Sequence, residues 1–66
     1  MNRDRALAQA RNMREGEQKV YDDGTVITVN PCSDPAYQGC VYVTLKEPTG
    51  AKVTWIVRDG YIIAEK

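Results

Sequence analysis

Sixty-six residues make one domain with one small core, and a chain this short buries only about 60% of the surface its unfolded form exposes, which argues against a roomy pocket and against an enzyme. Nine Lys and Arg balance nine Asp and Glu, so no global field points to nucleic acid or to a membrane surface. No apolar run approaches the ~20 residues that span a bilayer, and no hydrophobic stretch follows Met1-Asn2-Arg3-Asp4-Arg5, so the sequence predicts a cytoplasmic setting without a secretory signal.

Residues 3–15 read as a helix. Asn2 suits the N-cap, Ala6, Leu7, Ala8 and Ala10 favour helix, and Gly16 suits a left-handed position just past the end. At 100° per residue Met13, Ala6, Ala10 and Leu7 fall on one side, with Arg3 and Arg14 at the margins of that arc. A stripe this thin cannot hold a helix alone, so the segment must dock on the sheet or on a partner. The cations of residues 1–16, Arg3, Arg5, Arg11 and Arg14 against Asp4 and Glu15, read as solvated faces.

The rest of the chain is β-meander. A first strand over Gln18–Tyr21 and a second over Thr25–Asn30 flank Asp22-Asp23-Gly24. Read as a two-residue Asp23-Gly24 turn, this hairpin pairs Val20 with Ile27, Tyr21 with Val26 and Lys19 with Thr28, apolar against apolar. The segment Asn30–Gly39 reads as an irregular loop, because Asn30-Pro31 and Asp34-Pro35 start turns and neither proline suits a central strand.

The strands Cys40–Lys46 and Ala51–Val57 both alternate cleanly. A three-residue loop, Pro48-Thr49-Gly50, pairs Leu45 with Val53, Val43 with Trp55 and Val41 with Val57. On the other face it pairs Tyr42 with Ile56 and Thr44 with Thr54, and leaves Lys46 opposite Lys52 as the one poor match. The last strand covers Tyr61–Glu65. Its register stays open: Trp55 faces Ile63 if the loop has three residues and Ala64 if it has two, and either brings Ile62 or Ile63 beside Ile56.

The expected fold is therefore α+β: an N-terminal helix (1–16) and a five-stranded antiparallel meander (17–66) in one domain. The meander is expected as a strongly bent sheet or a small, partly open SH3-like or Sm-like barrel. Val43, Leu45, Val53 and Trp55 centre the core face. Tyr42, Ile56 and one further isoleucine make a second, partly apolar face, which the helix is expected to cover through Leu7 and Met13, a partner molecule being the alternative.

Chemistry has few carriers. Histidine is absent, so Cys-His and Ser-His-Asp machinery is excluded within one chain, and Cys32 and Cys40 alone cannot complete a zinc site. The two cysteines bracket a short loop and read either as free thiols or as a loop-closing disulfide; their spacing is not Cys-x-x-Cys. Asp22 and Asp23 pair only in an exposed turn. No phosphate-cradling glycine loop, cofactor motif or metal motif is present. Tyr37, in the polar loop, either contacts a partner or folds back over Trp55.

The segment Trp55-Ile56-Val57-Arg58-Asp59-Gly60-Tyr61-Ile62-Ile63 resembles the second conserved stretch of Sm-like RNA-binding proteins, in which an arginine–glycine turn joins the last two strands. One helix followed by five strands is also that family's order. The resemblance implies an RNA-binding sheet. It covers about the last dozen residues; upstream, two prolines and two cysteines stand where that family has a long bent strand.

These residues point to a non-catalytic binding module. A protein partner comes first, met by Tyr37, Tyr42, Ile56, Arg58, Lys46 and Lys52, with the chain acting as a regulator, adaptor or inhibitor of a larger complex, of a size that phages and mobile elements encode. The alternative is a single-stranded nucleic-acid binder using Tyr42, Lys46, Lys52 and Arg58. Self-association through the helix stripe or the sheet edges is a third reading.

Overall fold

The computed structural model describes residues 1–66. Its elements are α1 (Arg3–Ala10), β1 (Gln18–Val20), β2 (Val26–Pro31), a 3-10 turn (Pro35–Tyr37), β3 (Val41–Lys46), β4 (Lys52–Arg58) and β5 (Tyr61–Glu65). The strands form one antiparallel sheet in the order β1-β2-β3-β4-β5. The first and last strands do not pair, so the expected α+β meander is present as an open sheet rather than a barrel.

The helix begins as its residues dictate, with the Asn2 side chain accepting the N–H of Arg5 at 2.9 Å. It ends at Ala10, short of the expected Glu15. Asn12 and Met13 already bond three residues back, to Gln9 and Ala10, and the Asn12 amide reaches the carbonyl of Ala8 at 3.3 Å. The Glu17 carboxylate then takes the N–H of Arg14 at 2.6 Å, and Gly16, at φ +89°, gives its own to Val29 at 2.7 Å. These bonds turn the chain into β1 instead of continuing the helix.

The stripe itself is real. Ala6 and Ala10 are buried with Ile27, Val29, Val43, Leu45, Trp55 and Val57, and Leu7 and Met13 pack against that cluster. This corrects the expected docking: the helix covers the core face, not the Tyr42–Ile56 face. An open sheet cannot curl over its own apolar side, so the helix is what removes that side from water. Between helix and sheet lies a cavity of 330 Å³ lined by Leu7, Ala10, Val41, Val43 and Val57, with Arg11, Asp59 and Gly60 completing its wall.

All six pairs expected between β3 and β4 are formed, from Val41 with Val57 to Lys46 with Lys52. Gly50 sits at φ +95° in the three-residue loop, which Glu47 and Ala51 close with a 2.8 Å bond.

The first hairpin is corrected by one residue: Val20 pairs with Val26, Lys19 with Ile27 and Gln18 with Thr28. Its loop has three residues, Asp22-Asp23-Gly24. It is closed by Tyr21 N–H to Thr25 at 2.8 Å and braced by the Asp23 carboxylate accepting the N–H of Thr25 at 2.9 Å. The shift turns the larger Tyr21 onto the core and leaves Val20 64% exposed. Burying the aromatic outweighs the mismatch of Lys19 against Ile27 on an exposed edge.

Pro31 also departs from expectation, since it ends the interior strand β2 opposite Val41. Val29 directs its N–H and carbonyl to Glu17 and Gly16, so the same side of Pro31 faces beyond the end of β1, where no donor is needed.

The last hairpin takes the two-residue turn, one of the two expected, but keeps neither expected partner for Trp55. Asp59 and Gly60 both have positive φ, +52° and +83°, in a two-residue turn, so Arg58 pairs with Tyr61 and Val57 with Ile62. A β-bulge then moves the register, setting Ala64 against Ile56 and Glu65 against Trp55, with Ile63 left 44% exposed. On an edge strand a bulge costs few ladder bonds and blunts the edge against further pairing.

Candidate functional site

The face of the sheet opposite α1 carries the candidate site. Strand alternation and the four registers lay it out in cross-strand rows. One row runs Val20, Val26, Lys46, Lys52; the next Gln18, Thr28, Thr44, Thr54; the next Asn30, Tyr42, Ile56, Ala64; and Arg58 and Tyr61 follow. Lys66 joins this face, because its N–H donates to the carbonyl of Thr54 at 2.9 Å and its ammonium lies 4.4 Å from the centre of the Tyr42 ring.

This arrangement segregates charge in a molecule whose net charge is zero. Lys46, Lys52, Arg58 and Lys66 are all exposed and all on this side. No strand position on the face holds an acid: Glu65 pairs with Trp55 on the core side, and Glu47 binds the Met1 ammonium at 3.3 Å beneath the helix. The two ion pairs of the molecule, Met1–Glu47 and Arg3–Asp4, involve none of the four cations. Arg58 donates to the carbonyl of Gln38 at 3.4 Å, which ties the 32–40 loop to the edge of the face.

Five of the residues expected to meet a partner are thus brought together: Tyr42, Ile56, Arg58, Lys46 and Lys52. Ile56 is only 5% exposed, held between its cross-strand partners Tyr42 and Ala64, so the face is less apolar than its sequence implies. Tyr37 stands apart, half-buried in the 3-10 turn whose start is capped by Asp34 accepting the N–H of Ala36 at 2.9 Å.

Cys32 and Cys40 are both free thiols, the first half-buried and the second buried. Cys32 and Ser33 flank the Tyr42 hydroxyl. Hydrogen bonding to the Cys32 side chain raises the pKa of Tyr42 above its ordinary value, against an opposing pull from Ser33, and Asp34 adds to the rise.

Sequence reasoning did not find Lys66 or the threonine row. Lys66 is placed by the bulge, and Thr28 joins Thr44 and Thr54 through the β2–β3 pairing across the proline-rich loop. The Lys46–Lys52 mismatch was the available signal.

No three His, Cys, Asp or Glu side chains come together as a metal site, and no helix is long and apolar enough to cross a membrane. Comparison with protein-family models, with curated proteins and with solved structures finds no match.

Proposed function

We propose that this chain is a small, cytoplasmic, non-catalytic binding protein that docks its open sheet face on the acidic surface of a protein partner, as a regulator, adaptor or inhibitor of a larger complex. The observation that carries this reading is the segregation of Lys46, Lys52, Arg58 and Lys66 on the one sheet face without a helix, with no acid at any strand position of that face. Charge complementarity of this kind sets orientation and partner choice. Tyr42, the threonine row and Asn30 add hydroxyl and amide contacts at low entropic cost.

A protein is favoured over nucleic acid on magnitude. Nucleic-acid-binding domains typically have pI above ~9, whereas this chain has a pI of about 6.1. Four cations release few counterions, and the ring face of Tyr42 that would stack on a base is occupied by Lys66.

The test is affinity capture from nuclease-treated host extract, comparing the wild type with a variant carrying Lys46→Glu, Lys52→Glu, Arg58→Glu and Lys66→Glu. The expected result is a protein retained by the wild type and lost with the reversed face. Capture that survives charge reversal overturns the reading. Capture present in untreated extract and abolished by nuclease points to the second reading, a single-stranded nucleic-acid binder, which the exposed cations Lys46, Lys52 and Arg58 on one face favour. Oligonucleotide titration at about 50 and about 200 mM salt would then show a log–log slope near −3 for four phosphate contacts.

A further inference from the structure

Lys46 and Lys52 are cross-strand partners in an antiparallel ladder. Glu47 and Ala51, one position nearer the loop, form a hydrogen-bonded pair, so the lysines occupy a non-hydrogen-bonded pair, the type whose side chains stand closer. Two like charges at such a position repel each other and destabilise the sheet. Neither takes part in an ion pair. Two positions along the same ladder, Thr44 and Thr54 use the same kind of site to hydrogen-bond their hydroxyls at 2.9 Å.

The lysines do not stand on a flat surface. With Gln18, Val26, Thr28, Asn30 and Thr44 they line a depression of 230 Å³. When Thr54 donates to Thr44, the Thr44 hydroxyl keeps its own proton for an outside acceptor. The depression therefore combines two ammonium groups, free hydroxyl donors and amide donors over an apolar floor at Val26. Such a set matches an oxyanion, which relieves the lysine repulsion as it binds.

We infer that this depression is an oxyanion-binding site, and that it takes a carboxylate from an acidic segment of the partner. This rests on the proposed docking of the open face and specifies where on that face the anchoring contact falls. Free inorganic phosphate shares the chemistry and is the competing source.

The test is a two-dimensional amide NMR titration of the intact chain with hexaglutamate, and separately with inorganic phosphate, at low salt. Hexaglutamate is expected to shift the amides of Thr28, Thr44, Lys46 and Lys52 first. Lys46→Gln with Lys52→Gln is expected to weaken its binding about fivefold, the effect of two surface ion pairs, while Arg58→Gln with Lys66→Gln changes it less than about twofold. The lysine variant should also melt at a higher temperature than the wild type, since the repulsion is gone; this confirms that it folds and separates a binding role from a structural one. Phosphate that saturates the same amides more tightly than hexaglutamate overturns the carboxylate assignment in favour of free phosphate. Shifts centred on Tyr42, Arg58 and Lys66 overturn the oxyanion site but leave the docking face standing. No shift anywhere on the face overturns both.

Discussion

Arg11, at the end of α1, donates two hydrogen bonds to the carbonyl oxygen of Gly60, from Nη2 at 2.7 Å and from Nε at 3.1 Å. The same guanidinium lies 5.9 Å from the centre of the Tyr61 ring. It ties the helix to the β4–β5 turn across the cavity that both line, and it does so because Gly60 has no side chain: a Cβ there would stand 2.9 Å from the Arg11 Nε.

Arg11→Ala is expected to lower stability by about 1 kcal/mol, the scale of an exposed charged hydrogen bond. Gly60→Ala should cost more, because its φ of +83° adds about 1–2 kcal/mol of left-handed strain to the collision. In the double variant the collision is gone and only the strain and the lost bonds remain. Urea unfolding of the four proteins should give a combined loss smaller than the sum by about 0.5–1 kcal/mol. Strict additivity would show that the two residues do not meet in solution.

The helix reaches the sheet through its smallest side chains. Ala6 is fully buried and Ala10 nearly so, both within the cluster built by Ile27, Val29 and Trp55. Ala6→Leu has no space to enter and should destabilise by about 1–3 kcal/mol. Ala8→Leu, on the exposed side of the same helix, should stay within about 0.5 kcal/mol. Equal effects in chemical denaturation would mean that the helix does not dock by this face.

How far the sequence revealed this architecture depended on which force decided each feature. The β3–β4 register was legible because Val41, Val43, Leu45, Val53, Trp55 and Val57 alternate on both strands and only one loop length matches them. The β1–β2 register was missed because local pairing favoured Val20 against Ile27, while the decisive event was burial of Tyr21 against the helix-covered core. The bulge at Ile63 has no local signature, and with it the placement of Ala64 and Lys66 was hidden. The helix was foreseen with the right stripe and set on the wrong face, since Tyr42 and Ile56 look like a surface needing cover until Lys66 is seen above the ring. The candidate site was half legible: Lys46, Lys52, Tyr42 and Arg58 follow from one hairpin, the threonine row from a pairing across the irregular loop.

Acid should act on the first hairpin. Asp23 is held below its ordinary pKa of 3.8, chiefly by the hydrogen bond from the Thr25 backbone N–H. A carboxyl more acidic in the folded than in the unfolded state contributes stability above its unfolded pKa and loses it as pH falls through the folded value. Asp23→Asn keeps an oxygen acceptor for the turn but no titration. The wild type should therefore exceed Asp23→Asn in stability at neutral pH, with the gap closing as pH drops below about 4. Melting curves across that range that remain parallel would remove Asp23 from the acid response.

Thr25 is fully buried, yet its hydroxyl oxygen has no hydrogen-bond partner. A buried polar atom left unpaired costs about 1–3 kcal/mol, and here the turn does not depend on it, since the backbone of Thr25 already bonds Asp23 and Tyr21. Thr25→Val preserves the shape and removes the orphan, so it should raise stability by about 1 kcal/mol. Thr25→Ser keeps the hydroxyl and removes a methyl from a filled site, so it should lower stability by a similar amount, about 0.8 kcal/mol or more. The urea midpoints should move in opposite directions at unchanged slope. A destabilised Thr25→Val would mean that the hydroxyl closes its bond to the carboxylate in solution.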